Sequence, residues 1–298
     1  MVRSSLRLGI DLGGTKTEIA ALGPTGEWLW SKRVPSARDS YRGTLDTLAG
    51  LVAEADSALG QRGTVGVGIP GAVSPATGLI KNANSTWLIG HALDRDLAER
   101  IGRPVRLEND ANCFALSEAT DGAAAGASTV FGAILGTGVG GGLVVNGRVL
   151  RGHNAIGGEW GHNPLPWPAD DERPGPPCYC GQNGCIEQWL SGGALAREGG
   201  PRAEEAAAAG DAKAEAALLR YEDRLARALA TLINVFDPDA IVLGGGLSKL
   251  DRLYANLPPR LPAYVFSDVC TTPIRRPRHG DASGVRGAAW LWPVEDAG

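Results

Sequence analysis

The sequence predicts an α/β protein built from two related lobes, on three observations. Apolar β-branched runs alternate with stretches of helical periodicity along the chain. The 298 residues exceed one small core and fall short of several modules. A strand, glycine turn, strand meander occurs near residues 8–33 and again near 130–150, which suggests a duplicated unit.

The elements follow in order. Leu6 to Leu12 is a short apolar run, followed after Asp-Leu-Gly-Gly-Thr-Lys by strands over Thr17 to Leu22 and Trp28 to Val34. Apolar residues at Leu45, Leu48, Leu51, Val52, Ala55 and Leu59 predict a helix over Thr44 to Leu59, and Thr64 to Ile69 reads as a buried strand. A helix over Leu93 to Ile101, a strand over Val105 to Leu107 and a helix over Ala111 to Ala119 complete the first half. Strands over Thr129 to Leu135 and Gly142 to Val145, joined by a turn from Gly136 to Gly141, open the second. Six prolines make residues 163–177 a loop, and the alanine-rich stretch 204–210 is a weak helix or a surface piece; neither shows evident chemistry. A long helix over Ala214 to Phe236, a strand over Ala240 to Leu243, a Gly244-Gly245-Gly246 turn and a helix near Leu250 to Leu257 follow.

Composition narrows the function. A net charge of −4 and a pI of about 5.7 supply no basic field for a nucleic-acid backbone. No stretch reaches the roughly 20 apolar residues of a membrane span, and Met1 to Ser5 lead into a strand rather than an apolar signal core, so a cytoplasmic protein is expected. Of five cysteines, Cys178, Cys180 and Cys185 crowd together while Cys113 and Cys270 stand apart, a pattern of a reduced metal site rather than a disulfide framework.

Five places carry chemistry. Asp11-Leu12-Gly13-Gly14-Thr15-Lys16 follows a buried strand, where adjacent glycines let amides face an anion, Thr15 and Lys16 add a hydroxyl and a charge, and Asp11 can hold Mg²⁺ through water. A tight hairpin accounts for the Gly-Gly pair alone, and the Walker spacing is absent. Gly136-Thr137-Gly138 and Gly244-Gly245-Gly246 repeat the device, and three such turns could wrap one nucleotide, although each alone is also an ordinary hairpin. Glu108-Asn109-Asp110 ends a strand before a helix. Asp110 is there either an N-cap or a base taking the proton of a sugar hydroxyl as it attacks a γ-phosphoryl group, with Asn109 holding a neighbouring hydroxyl. His162 with Cys178, Cys180 and Cys185 is a tetrahedral zinc set; being closed, it is structural and fixes the loop bearing His162 and Glu187.

With these motifs in this order, the chain resembles the ROK family of bacterial sugar kinases and repressors over nearly its whole length. Lys81 to Trp87, Gly161 to Trp167 and His279-Gly280-Asp281 look closest to its fructokinase, or manno(fructo)kinase, branch. The resemblance implies a two-lobed actin-like ATPase fold, ribonuclease H-like and of hexokinase type, with ATP and sugar in an interlobe cleft. It divides the chain into a smaller lobe of residues 1–117 and 286–298 and a larger lobe of 118–285 that carries the zinc site, and it implies a homodimer. Position by position, it implies that Asn84, Asn109, Asp110, Glu159, His162 and Glu187 contact the sugar, with Asp110 the base and His162 serving zinc and a sugar hydroxyl through its two ring nitrogens. Thr137, Gly138 and Gly245 would join Gly13 to Lys16 around ATP. The fifteen residues between His162 and Cys178 exceed what glucokinase-like members usually carry, which separates this loop from theirs.

The expected reaction is therefore phosphorylation of a free hexose by ATP with Mg²⁺, fructose to fructose 6-phosphate in the first place, with glucose, mannose and N-acetylglucosamine as rivals. The family's repressors need a DNA-binding helix-turn-helix ahead of the sugar module. The ten residues before Asp11 are too few for one.

Overall fold

The computed structural model describes residues 6–292; the expected lead-in Met1 to Ser5 and the end of the expected smaller lobe, 293–298, lie outside the described residues. The first sheet is built from β1 (Arg7–Leu12), β2 (Lys16–Leu22) and β3 (Trp28–Pro35) as an antiparallel meander. After α1 (Tyr41–Leu59), capped by the Ser40 hydroxyl, β4 (Thr64–Ile69) pairs parallel with β1. A short hairpin of β5 (Ala72–Val73) and β6 (Ile80–Lys81) and then α2 (Leu93–Ile101) lead to β7 (Val105–Asn109), parallel to β4. The strand order is β3-β2-β1-β4-β7.

After α3 (Asp110–Thr120) the plan repeats. β8 (Thr129–Leu135), β9 (Val139–Val145) and β10 (Arg148–Val149) form the meander, and α4 (Glu187–Leu190), α5 (Gly192–Gly199), α6 (Ala203–Ala208) and the long α7 (Ala212–Phe236) intervene. Next come β11 (Ala240–Gly244), parallel to β8, then α8 (Asp251–Asn256) and β12 (Ile274–Arg275), parallel to β11. The order β10-β9-β8-β11-β12 has the same directions as the first sheet, so the duplication suggested by the glycine turns is a duplication of topology.

The last helix, α9 (Ser283–Trp290), returns to pack on β1 and β4, while α3 packs on β8 and β9. Both sheets offer glycines under these helices: Gly9 and Gly66 lie against the α9 backbone, and Gly132 and Gly142 against α3. The helices meet at Gly287, where any side chain would run into the Cys113 carbonyl, so glycine is what lets the two backbones touch. No helix of the described residues is long and apolar enough to cross a membrane.

Several boundaries differ from the sequence reading. The strand at Val105 runs on to Asn109, and the glycine turn is confined to 136–138, with Gly140 and Gly141 already paired in β9. Gly246–Lys249 forms a 3-10 turn ahead of α8, and the alanine stretch supplies α6. The proline-rich loop has a structural role that its composition concealed. Its Glu172 turns inward and accepts from Arg224 at 2.7 Å and from both terminal nitrogens of Arg227 at 2.9 Å, in a site where all three side chains are 6% exposed.

This pair ties the loop joining His162 to Cys178 onto α7. Burial would raise the Glu172 pKa, but the hydrogen bonds from Arg227 and Arg224 outweigh it and hold the carboxyl down at about 2. A depressed folded-state value contributes stability that is present above the unfolded value of about 4.3 and is lost as pH falls through about 2. Glu172→Gln is expected to destabilise the protein by about 3 kcal/mol at neutral pH, since it strands buried guanidinium charge. Urea unfolding checks the value, and the gap from wild type should narrow as pH is lowered through that window.

Candidate active site

Between the two sheets lies a cavity of about 530 Å³. Asp110 lines it from the first turn of α3, where β7 ends. Of the two readings of Asp110 the N-cap does not hold: that role belongs to Asn109, whose Oδ1 accepts from the amides of Ala111 at 2.9 Å and Asn112 at 3.4 Å. Asn109 Nδ2 donates to Gly71 O at 3.1 Å, so the amide expected to hold a hydroxyl is engaged at both ends and has one N–H left for the cavity. Relieved of capping, Asp110 keeps its carboxylate open to the cavity, with one contact from the Ala111 amide at 2.8 Å. Burial, with the negative charges of Asp11 and Glu159, prevails over its backbone hydrogen bonds and raises its pKa to about 6.

The opposite wall is held by an aromatic anchor. Trp160, 3% exposed, packs edge-on to Phe131 at 5.6 Å and donates from Nε1 to Gly140 O at 2.6 Å. Burying an indole of this size is worth roughly 2–3 kcal/mol, enough to fix the short turn that presents Glu159 and His162 on either side of it. Glu187, at the start of α4, accepts from the Val139 amide at 2.9 Å and lies so close under the β8–β9 turn that a Cβ on Gly138 would stand 2.6 Å from its Oε2. That turn and Glu187 thus move as one unit.

His162, Cys178, Cys180 and Cys185 converge, their ligating atoms all within 4.8 Å of one another. Nδ1 of His162 lies 3.6 Å from Cys178 Sγ, and Cys180 Sγ lies 3.6 Å from Cys185 Sγ. A tetrahedron of zinc–sulfur bonds near ~2.3 Å has edges of about 3.8 Å, so the donor set fits the ion. The other ring nitrogen, which the resemblance assigned to a sugar hydroxyl, lies 2.9 Å from the hydroxyl of Tyr179, itself a lining residue.

Of the residues expected at the site, Asn84, Asn109, Asp110, Thr137, Gly138, Glu159, His162, Glu187 and Gly245 share the cavity wall. Gly13, Gly14, Thr15 and Lys16 do not reach it: their turn closes on itself, Gly13 N donating to Lys16 O at 3.1 Å and Ser36 Oγ to Gly13 O at 2.7 Å. Asp11 stands just behind the wall, 3.3 Å from where Gly284 would carry a Cβ, and burial raises its pKa, with Glu18 adding to the effect. Sequence reasoning missed Lys249 and Arg276 and quoted Asp281 only as part of a branch resemblance; all three line the cavity. Lys249 follows the triple glycine closely enough to have been found; Arg276 is placed by β12, which is too short to announce itself.

Two sheets of one topology around an interlobe cavity define a two-lobed actin-like protein of hexokinase type. The chain belongs to the ROK family, whose model matches residues 7–295. It is 44% identical to the N-acetyl-D-glucosamine kinase of Yersinia enterocolitica over 95% of this chain and 98% of that protein. Among solved structures it is similar to the ROK hexokinase from Thermus thermophilus, with a TM-score of 0.84, 34% identity and coverage of 96% of this chain and 97% of that one. It is also similar to a ROK family glucokinase from Streptomyces griseus in complex with glucose and AMPPNP, with a TM-score of 0.76, 28% identity and coverage of 96% and 98%.

Asp11→Asn removes the charge that, after burial, contributes most to the Asp110 shift. The Asp110 midpoint, followed by NMR titration of carboxyl-labelled protein, is expected to fall below about 6 in that variant while staying above the ordinary value of about 3.9.

Proposed function

We propose that this protein is an ATP-dependent sugar kinase whose preferred acceptor is N-acetyl-D-glucosamine. The carrying observation is Asp110, a carboxylate of raised pKa facing the cavity among Asn84, Glu159, His162 and Glu187. In this reading Asp110 accepts the proton of the C6 hydroxyl as its oxygen bonds to the γ-phosphorus; the bond from that phosphorus to the β–γ bridging oxygen breaks, and ADP leaves with the bridging oxygen. Asn84, Asn109, Glu159, His162 and Glu187 orient the sugar. Thr137, Gly138 and Gly245, joined by Lys249 and Arg276, receive the nucleotide. Asp11 and the Gly13 to Lys16 turn stand on the first-lobe side to hold Mg²⁺ and phosphate when the lobes approach.

The relatives favour N-acetyl-D-glucosamine over the fructose expected from the sequence. Of the stretches that suggested fructose, Asn82, Asn84, His162, Gly280 and Asp281 line the cavity, and other members hold the fold. Lys81 donates to Asn154 O at 3.2 Å, Trp87 Nε1 to Thr44 Oγ1 at 3.1 Å, Trp167 stacks on Tyr264 and His279 faces Asp121. The reading keeps the rest: a smaller lobe of residues 1–117 and 286–298 against 118–285, a structural zinc, a homodimer and a cytoplasmic location.

Assayed by ADP release with Mg·ATP, the protein should show its highest kcat/KM on N-acetylglucosamine among that sugar, glucose, mannose and fructose. A clear preference for fructose would restore the earlier expectation. The wild-type protein should carry one zinc per chain by elemental analysis. Cys180→Ser should lose the metal and fall in both melting temperature and sugar affinity, because ligation and local folding are coupled. Full activity of metal-free protein would remove zinc from the account.

A further inference from the structure

Beside the main cavity lies a second chamber of about 230 Å³ that shares Ala72, Asn109, Ala155, Ile156 and Glu159 with it. It opens between the β5 hairpin of the first lobe and the loop before Glu159 in the second. Ala72, Val73 and Ile156 give it apolar walls. Its inner end is formed by Glu108 and Arg151, an ion pair that also lines the cavity behind and so divides the two.

One wall residue is incompletely satisfied. Asn112, 6% exposed, donates from Nδ2 to Glu108 Oε1 at 3.0 Å. Because a carboxylate can only accept, this bond fixes which end of the amide is which. Asn112 Oδ1 is then left buried with no partner among the described residues. Arg151 engages the Glu108 carboxylate and Leu107 O and has further N–H groups to offer. An acceptor lacking a donor, a guanidinium with hydrogens to spare and an apolar wall together match a secondary amide carrying a small alkyl group.

We propose that this chamber receives the acetamido substituent of a 2-acetamido-2-deoxy hexose, its methyl against Ala72, Val73 and Ile156 and its amide between Asn112 and Arg151. The assignment rests on the reading of the main cavity as the sugar site of an N-acetylglucosamine kinase. A sugar with a bare 2-hydroxyl leaves the apolar wall uncovered and the Asn112 oxygen without a donor, and that penalty is how the site would prefer the acetamido sugar.

The test uses the wild-type protein and Ala72→Leu, which narrows the chamber mouth, with kcat/KM measured for glucose and for N-acetyl-, N-propionyl- and N-butyrylglucosamine. With wild type, the propionyl and butyryl sugars should stay within about tenfold of N-acetylglucosamine, since the chamber exceeds an acetyl group in volume, while an N-acyl group too large for it, such as biphenylacetyl, should be rejected. With Ala72→Leu, the ratio of N-acetylglucosamine to glucose should fall at least tenfold, and more steeply for each longer acyl chain. Wild type that ignores N-acetylglucosamine altogether would overturn the functional reading itself. Wild type that uses N-acetylglucosamine but accepts the oversized acyl sugar equally well, or a variant whose ratio is unchanged, would overturn the chamber alone. The wild-type acyl series decides the matter even if Ala72→Leu fails to fold.

Discussion

The contact of α3 with α9 is the constraint on which the rest of the molecule depends. Each helix lies on a different sheet, and their backbones touch where Gly287 meets the Cys113 carbonyl. A side chain at that point would force the helices apart, and with them the two sheets. The separation of the lobes, and so the width of the cavity between them, is therefore set by glycines. Asp110 is the first residue of one of these helices and Gly284 the second residue of the other, so the crossing that joins the lobes also fixes the end of the cavity that bears Asp110.

Polar contacts refine that frame. Glu118, fully buried near the end of α3, accepts from Ser283 Oγ at 2.7 Å and from the amides of Ala123, Arg278 and His279. A carboxylate so surrounded by donors is well satisfied despite its burial, and it holds the segment before α9 in place. On the other side, Trp160 anchors the turn that carries Glu159 and His162, the Val139 amide holds Glu187, and Glu172 anchors the intervening loop to α7.

Most of the framework was legible in the sequence because it depends on periodicity and on glycine. The strands at 64–69 and 129–135 and the helix at 93–101 fall where the pattern put them. The repeated glycine turns marked a duplicated sheet. The Cys-His cluster was legible from spacing alone, since few other structures use that pattern. What escaped is what depends on contacts distant in sequence: the two-residue strands β5, β6, β10 and β12, the inward turn of Glu172, and the exchange of the capping role from Asp110 to Asn109. Lys81, Trp87 and His279 looked diagnostic as letters, and in the fold they hold other parts of the protein.

The central claim is that Asp110 acts as a base whose ionisation is set by the cavity around it. The most direct test is turnover on the best sugar as a function of pH, for the wild-type protein and Asp110→Asn. The account predicts a wild-type kcat that falls below an apparent pKa near 6. It also predicts a variant that stays folded, turns over at least about a hundredfold more slowly and lacks that acid limb. A folded Asp110→Asn protein with near-normal turnover, or one that retains the same acid limb, would contradict it.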